Sequence, residues 1–268
     1  MQPKGFTILN PFKGVYHIRD GLDAHMTLLA GNREALLFDT GYGLADLLQA
    51  VRTITPLPLN VVLSHGHYDH ILGSRWFPTV YLAEEETETY RNASGNGQRD
   101  RVLARADANG LRLTKTETEA YRIFPVPEPR SMPRRTFDLG GLHVRVWPMP
   151  GHTRGSTALY VEELRLLLPG DNLNPVVWLF FEDRMPLAQY AGTMRNALYL
   201  PFANALCPHD DRTVKRREVE AFIDGLNPVT FRKAVPVRVS PYLEVDTREC
   251  SPAKGFKLIF NGLDMATD

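Results

Sequence analysis

The sequence predicts a mixed α/β fold built from two successive blocks of strands and helices, and three observations support it. Of the 268 residues, 43% are hydrophobic and 23% are charged, which is typical of a globular protein with a core. Short apolar or β-branched pieces, cut by turn residues, fill the first forty residues and return after residue 135. Helical spacing follows the strands in each block. We expect a single domain over residues 1–268 with two similar halves.

Four strands, a helix and a fifth strand open the chain. Gly, Asn and Asp turn residues separate the first four predicted strands, which are GFTIL, GVYHIRD, HMTLLAG and EALLFDTG. Apolar side chains then recur with helical spacing over residues 44–54. The run over residues 60–63 has the length and composition of a buried strand.

Residues 83–135 differ in composition from the rest of the chain. They are charged and poor in large apolar residues, and we predict exposed helices over residues 83–122 with a break near residues 94–97. Four prolines in FPVPEPRSMPRR then indicate an irregular connection. The favoured interpretation is a solvated helical insertion, and the alternative is a lid or a dimer arm.

The second block repeats the order of strands and helices. Strands are predicted in TFDLGGLHVRVWPMPG and in STALYVEELRLLLPGD, and helices over residues 186–198 and 211–226. Two further segments near the end of the sequence resemble strands again, VPVRVSPYLEVD and GFKLIFNG. The second block is therefore expected to form a sheet with helices of its own.

Charge and cysteine content limit the class of partner. Lys+Arg and Asp+Glu are both 31, so the formal net charge is zero, which argues against a nucleic-acid partner. Two cysteines, Cys207 and Cys250, are too few for a disulfide framework. No apolar run has the length of a signal peptide or a membrane span. We expect a cytoplasmic protein with a small-molecule substrate, no membrane partner and a homodimer as one option.

The stretch SHGHYDH, residues 64–70, concentrates metal-binding side chains. It begins where the predicted strand over residues 60–63 ends, and ligands gather beyond the carboxyl ends of strands in sheets flanked by helices. On extended backbone, alternation brings His65, His67 and Asp69 to one side. Two imidazoles suit one zinc ion, and Asp69 with His70 can begin a second site.

This stretch alone leaves both sites short of ligands. Three candidates each follow a predicted strand beside a turn residue: His152 in GHTRGS, Asp171 in PGD and His209 in CPHD. Singly, such a histidine is more often a surface or core residue, and such an aspartate a turn former. Beside the cluster over residues 65–70, ligation is the better interpretation, because buried polar groups without an ion would be poorly compensated.

In chain order, SHGHYDH, GHTRGS, PGD and the late His209 resemble the metallo-β-lactamase superfamily. LLFDTG at residues 36–41 is similar to the superfamily's early strand and turn, and the resemblance spans about residues 14–210. It implies an α/β (α+β) fold of the metallo-β-lactamase type, a four-layer αββα sandwich. In this fold two mixed sheets face each other with helices outside. The chain would be one such domain, with the charged helical insertion at about residues 83–135.

The resemblance also implies how the ligands are shared. The implied ligands of one metal are His65, His67 and His152. The implied ligands of the second are Asp69, His70 and His209. Asp171 is implied to bridge the two metals, and Asp39 to orient a ligating histidine. Two divalent metal ions are the expected cofactors, with Zn²⁺ favoured and Mn²⁺ or Fe as alternatives.

Such ligands imply a dinuclear metal-dependent hydrolase of a small ester, thioester, lactone or phosphoryl compound, acting by attack of metal-bound hydroxide. Asp69 is a candidate catalytic residue, because it can both ligate a metal and orient the nucleophile. The alternative is a non-hydrolytic superfamily member, either a metal-dependent oxidoreductase or a binding protein. Cys207, near His209, is interpreted as a small buried residue rather than a ligand.

Asp171 and the residues that follow it limit the class of substrate. β-Lactamase branches lack an aspartate at the position of Asp171, which argues against antibiotic hydrolysis. Homoserine-lactone lactonases have a tyrosine where this chain has Asn174, which disfavours a lactonase of that type. An amide at this position can still donate to an oxyanion, so Asn174 is the second candidate catalytic residue. The apolar run over residues 176–181 is either core or an apolar wall that suits an acyl or aromatic group.

Overall fold

The structure, a computed structural model, describes residues 5–240 and 244–267, with side chains described up to residue 265. Its internal contacts divide the chain into two units, Met1–Arg145 and Val146–Asp268. Each unit has a hydrophobic core of its own, which contains Leu28, Val61 and Tyr90 in the first and Leu167, Phe202 and Phe222 in the second. That the chain is one domain with an insertion stays a prediction.

Seven strands form the sheet of the first unit. In chain order they are β1 (Phe6–Phe12), β2 (Val15–Asp20), β3 (His25–Ala30), β4 (Ala35–Phe38), β5 (Leu59–Val62), β6 (Tyr81–Leu82) and β7 (Arg130–Ser131), and they lie side by side in that order. The pairs from β1 to β4 are antiparallel, and the pairs from β4 to β7 are parallel. The five strands predicted in this part of the chain are confirmed.

Five α-helices accompany that sheet: α1 (Leu47–Ile54), α2 (Tyr68–Ile71), α3 (Thr87–Ala93), α4 (Asn96–Ala108) and α5 (Lys115–Ile123). Helix α1 begins at Leu47 because the Asp46 carboxylate accepts a hydrogen bond from the Gln49 main-chain N–H, at 2.9 Å. The predicted break in the charged segment lies at residues 94–95, between α3 and α4.

One expectation about the charged segment is wrong. Its helices are not simply exposed, because Tyr90, Val102 and Tyr121 are buried in the core of the first unit. The apolar residues are few, but helical spacing gathers them on one face of each helix, and the average composition of the segment hides that face.

Ten strands follow residue 135 in the part of the chain that the structure describes. They are β8 (Thr136–Asp138), β9 (His143–Pro148), β10 (Thr157–Val161), β11 (Leu166–Leu168), β12 (Val176–Leu179), β13 (Asn204–Leu206), β14 (Thr213–Lys215), β15 (Val235–Pro236), β16 (Thr247–Ala253) and β17 (Phe256–Asn261). A six-stranded sheet has the order β14-β13-β11-β10-β9-β8, and a four-stranded sheet has the order β12-β17-β16-β15. Both sheets contain parallel and antiparallel pairs.

Among the described residues of the second unit there are three α-helices: α6 (Leu187–Ala197), α7 (Arg216–Gly225) and α8 (Pro228–Arg232). The helix predicted over residues 211–226 is too long, since residues 213–215 form strand β14 and the helix begins only at Arg216. Strand β16 and helix α8 were not predicted. Part of the strand predicted over residues 235–246 falls on residues 241–243, which lie outside the described residues.

The apolar run over residues 176–181 was interpreted as either core or an apolar wall, and the structure shows some of its residues buried and others exposed. Strand β12 lies at the edge of its sheet and pairs in parallel with β17. Val177 and Leu179 are fully buried, whereas Val176 and Trp178 are 38% and 40% exposed. Alternation along the strand therefore gives one core face and one exposed apolar face. Within the described ranges, no helix is long and apolar enough to cross a membrane.

Candidate metal centre

One carboxylate organises the histidine stretch of the first unit. Strand β4 ends at Phe38, and Asp39 follows in the left-handed region with φ 65°, a conformation that aspartate tolerates better than most side chains. Its Oδ1 accepts from the Ser64 main-chain N–H at 2.7 Å. Its Oδ2 lies 2.8 Å from the Ser64 hydroxyl and 2.9 Å from Nδ1 of His70. Asp39 thus holds both ends of the loop that carries the predicted ligands.

These hydrogen bonds fix the tautomers of two histidines. A carboxylate only accepts, so Nδ1 of His70 carries the proton. The Ser64 hydroxyl donates to Asp39 and uses a lone pair to accept from Nδ1 of His65, at 2.9 Å. In both rings Nε2 is therefore the nitrogen with a lone pair, which is the state that a metal ligand requires.

Three imidazoles converge within the same unit. The ring of His65 lies 4.7 Å from that of His67 and 4.2 Å from that of His70, measured between centroids. His65 and His70 are buried, while His67 and Asp69 are partly exposed. Asp69 Oδ2 lies 3.9 Å from Nε2 of His70. The structure therefore brings together the four predicted ligands of this stretch, and helix α2 carries two of them, Asp69 and His70.

Sequence reasoning missed one residue that supports this loop. Glu86 is buried, and its Oε2 accepts from the Gly66 main-chain N–H at 2.9 Å. The fit is close, since a Cβ on Gly66 would lie 2.6 Å from the main-chain nitrogen of Tyr90. Glu86 stands in the run EEETE, and nothing in the sequence distinguishes it from its exposed neighbours Glu84 and Glu85.

In the second unit, His152 lies in the turn after β9 and is held at two points. Its Nδ1 faces the carbonyl oxygen of Trp178 at 2.6 Å, so Nδ1 carries the proton and Nε2 has the lone pair. Its main-chain N–H donates to Oδ1 of Asn172 at 2.8 Å. The buried Asn172 amide in turn donates to the Met149 carbonyl at 2.7 Å, which ties the turn together.

The Asp171 carboxylate offers one oxygen to each of two histidines. Its Oδ2 lies 3.6 Å from Nε2 of His152, and its Oδ1 lies 3.5 Å from Nε2 of His209. These separations are long for hydrogen bonds. They are close to the distance between two ligands of one tetrahedral ion, which is about 3.3 Å when each bond is about 2.0–2.1 Å.

Asn174 is brought to Asp171 and is buried. Its Nδ2 donates to Asp171 Oδ1 at 3.0 Å, while its own Oδ1 has no hydrogen-bond partner among the described residues. The amide thus faces the carboxylate, and its role as an oxyanion donor stays a prediction. Cys207 is fully buried in the core of the second unit, and burial raises the pKa of its thiol. Its interpretation as a small buried residue is confirmed.

The donor set fits divalent ions on its own chemistry. Five imidazoles and two carboxylates include no thiolate, and hydrogen bonds assign a ligating tautomer to His65, His70 and His152. Partners on the other ring nitrogen are the usual means by which a ligating imidazole is oriented.

A sequence model of the metallo-beta-lactamase superfamily matches residues 19–211. The chain belongs to this superfamily. Among curated relatives, it is 24% identical over 211 residues to the human acyl-coenzyme A thioesterase MBLAC2, a match covering 70% of this chain and 73% of that protein. It is 26% identical over 157 residues to the probable metallo-hydrolase YqgX of Bacillus subtilis, a match covering 57% of this chain and 67% of that protein.

Solved structures of the superfamily share the fold. A metallo-beta-lactamase from Erythrobacter litoralis has a TM-score of 0.55 at 17% identity and covers 82% of this chain and 95% of its own. The sec-alkylsulfatase Pisa1 from Pseudomonas has a TM-score of 0.63 at 16% identity, covering 85% of this chain and 42% of its own. The predicted α/β fold of the metallo-β-lactamase type is confirmed. The relatives are named as a thioesterase and metallo-hydrolases, and this superfamily member is a hydrolase.

Proposed function

We propose that the chain is a dinuclear metal-dependent hydrolase of acyl thioesters and related esters. The observation that carries the proposal is the Asp171 carboxylate, which directs one oxygen toward Nε2 of His152 and the other toward Nε2 of His209. A carboxylate that serves two imidazoles at ligand-to-ligand distances is suited to be shared by two ions. Each oxygen can then serve the ion that its neighbouring imidazole holds.

The ligands divide between the two ions as the superfamily resemblance implies. On that resemblance, His65, His67 and His152 would hold one ion, Asp69, His70 and His209 the other, and Asp171 both. The superfamily match over residues 19–211 includes all seven residues, which supports this division. Zinc is the first choice for a set rich in imidazole, and manganese or iron can use the same ligands.

Bound ions of this kind activate water as a nucleophile and polarise a carbonyl oxygen. The residues of the chain supply orientation and proton transfer. Asp39 and the Trp178 carbonyl prevent the rings of His70 and His152 from rotating, because each accepts from Nδ1. Asp69 is partly exposed, so its carboxylate can hold the proton that the attacking water loses. The Asn174 amide keeps Asp171 in place through its hydrogen bond to Oδ1.

Acyl thioesters are the favoured substrate class for three reasons. Relatives named acyl-coenzyme A thioesterase match 70% of this chain. Asn174, which stands where lactonases of the superfamily have a tyrosine, is buried against Asp171 and is therefore poorly placed to touch a lactone ring. An apolar surface beside His152 also suits an acyl group.

The Asp171→Ala variant tests the shared carboxylate. We expect elemental analysis to find about two ions per wild-type chain and about one in Asp171→Ala, because one shared ligand is lost from each ion. Thioester hydrolysis should fall by about 100-fold or more. Removal of a residue that only hydrogen-bonds to a metal ligand can already cost about 100-fold, and loss of a ligand should cost at least as much. Asp224→Ala, an exposed aspartate on α7, is the matched control and should retain both ions and full activity.

The same preparations are assayed on acyl thioesters, oxygen esters, a lactone and a phosphodiester. Thioester turnover should exceed the others, and a chelator should abolish it. Two ions retained by Asp171→Ala with wild-type affinity would contradict the shared carboxylate. A preference for the phosphodiester would contradict the substrate class.

A further inference from the structure

An exposed apolar strip runs beside His152 in the second unit. We define the strip as Val176, Trp178 and Phe181. Val176 and Trp178 lie on the exposed face of the edge strand β12, 38% and 40% exposed, while the residues between them face the core. Phe181 lies two residues beyond the end of the strand and is half-buried. Contiguous exposed apolar side chains are uncommon unless they bind something.

Both aromatic residues of the strip contact the predicted metal ligand His152. The Trp178 carbonyl accepts from Nδ1 of His152 at 2.6 Å. The ring of Phe181 stands edge-on to the His152 ring, with centroids 5.9 Å apart and an interplanar angle of 89°. Whatever lies on the strip therefore lies next to His152.

Buried aromatic packing fixes the orientation of the strip. Phe180 is buried and contacts both exposed rings, with centroid distances of 5.4 Å to Trp178 and 4.6 Å to Phe181. The rings of Trp178 and Phe181 are 6.1 Å apart. A surface held in this way loses little conformational entropy when a ligand binds.

The charges near the strip disfavour an anionic occupant. Arg184 donates to the Phe181 carbonyl at 3.1 Å, and its guanidinium is paired with Asp264 at 2.7 Å. Lys257, which lies opposite Val176 in the pairing of β12 with β17, is likewise paired with Glu249 at 2.8 Å. Neither cation can serve a phosphate without losing its partner. An uncharged, apolar group is the chemistry that the strip accommodates best.

We propose that the strip is the acyl-chain subsite of the enzyme, which takes the hydrocarbon chain of the thioester while its carbonyl lies at the metal centre. This inference rests on the proposed function and adds a specificity determinant to it. Each methylene placed on the strip should raise kcat/KM by about twofold to fourfold, fourfold being the effect of complete burial.

The test compares acetyl, butyryl, hexanoyl, octanoyl and decanoyl thioesters of one thiol. Wild-type kcat/KM should rise with chain length and level off where the chain passes the strip. Trp178→Ala should flatten this rise, with a loss of about tenfold or more on the decanoyl substrate and less than about twofold on the acetyl substrate. The substitution keeps the main-chain carbonyl that holds His152, so metal content should not change.

Two controls separate the subsite from general effects. Trp178→Phe keeps an aromatic surface and should retain most of the chain-length dependence. Tyr199→Ala removes a ring that is 84% exposed and lies outside the strip, and it should leave every substrate unaffected. An equal loss by Trp178→Ala at all chain lengths would instead make Trp178 a positioning residue for His152 and overturn the subsite. A wild-type rate independent of chain length would overturn it too.

A binding measurement distinguishes failure of the subsite from failure of the proposed function. Decanol, which has no group to hydrolyse, should shift the fluorescence of the wild type but not of Trp178→Phe, which keeps the other two tryptophans. Decanol binding without thioester hydrolysis would reject the function and retain the apolar site. Hydrolysis without decanol binding would reject the subsite. Light scattering that shows a dimer dissociated by Trp178→Ala would assign the strip to a second copy of the chain and overturn the proposal.

Discussion

Asp39 controls two imidazoles with a single carboxylate. One oxygen lies within hydrogen-bond distance of both His70 and the Ser64 hydroxyl. The same hydroxyl accepts from Nδ1 of His65, so Asp39 also orients that ring through Ser64. The left-handed backbone at Asp39, with φ 65°, turns the side chain back toward the loop, and only a few residue types adopt this conformation without strain. A substitution that tests the role of Asp39 should therefore tolerate the left-handed backbone conformation and change only the hydrogen bonds of the side chain.

Asp39→Asn meets that requirement, because asparagine also tolerates the left-handed region. Its amide nitrogen cannot accept, so at least one of the bonds to Ser64 and His70 is lost. We expect metal affinity, measured by competition with a chelator, to fall by about 10- to 100-fold. The matched control is Asp23→Asn, an exposed aspartate with φ 67°. Wild-type affinity in Asp39→Asn would show that the carboxylate does not orient the ligands.

At the scale of the elements, helix α3 and the turn before it pack against the histidine loop, residues 64–70. The buried Glu86 carboxylate accepts from the Gly66 main-chain N–H, and Gly66 packs against the main chain of Tyr90. The charged segment is therefore part of what shapes the candidate site, in addition to any role as a lid or a dimer arm.

Glu86→Ala removes the acceptor and leaves a buried N–H group unsatisfied. The free energy of unfolding should fall by about 1–3 kcal/mol, the usual cost of such a group. Metal affinity should fall as well, since the loop loses a restraint. Glu85→Ala, in the same turn but exposed, should change neither quantity. Denaturant unfolding and chelator competition measure the two effects. Equal results for the two variants would mean that Glu86 does not support the loop.

The sequence predicted the strands that carry the ligands better than the contacts that hold them. Strand β5 and the loop after it could be read from a short apolar run followed by SHGHYDH, because local composition alone decides them. Strand β16 was missed since TRECSPA has little apolar alternation and contains a proline, so its pairing with β17 and β15 makes it a strand. Glu86 was missed because contact with Gly66 depends on tertiary packing across 20 residues of chain.

At the scale of the whole molecule, buried tyrosines in both units donate to main-chain carbonyls. Tyr90 donates to Pro127 at 2.6 Å, Tyr121 to Tyr42 at 2.7 Å and Tyr190 to Asn172 at 2.8 Å. Burial raises the pKa of all three hydroxyls, because a phenolate in the core would lose its hydration. A phenolate would also lose the hydrogen bond, since it cannot donate.

These raised pKa values predict that stability is lost in alkali. The folded chain keeps the phenol protons to a higher pH than the unfolded chain, whose tyrosines ionise near a pKa of about 10. The unfolded state then binds fewer protons, so the free energy of unfolding falls as pH rises above that value. Each buried tyrosine should contribute a slope of about 1.4 kcal/mol per pH unit once its unfolded form is ionised. Cys250, whose pKa burial raises to about 12, adds a similar loss from a lower starting pH.

Urea unfolding at several pH values between about 8 and 11 measures this slope, on either side of the ordinary tyrosine pKa. Tyr121→Phe keeps the buried ring but has no proton to lose, so it should reduce the slope by the contribution of one group. Tyr199→Phe, at an exposed position, should leave the slope unchanged, because that ring stays in water when the chain folds. A free energy of unfolding that stays constant through this range would contradict the burial of the three hydroxyls. Such a result would also count against the hydrogen bond from Tyr190 to the Asn172 carbonyl. Asn172 is the residue whose side-chain oxygen accepts from the His152 main-chain N–H.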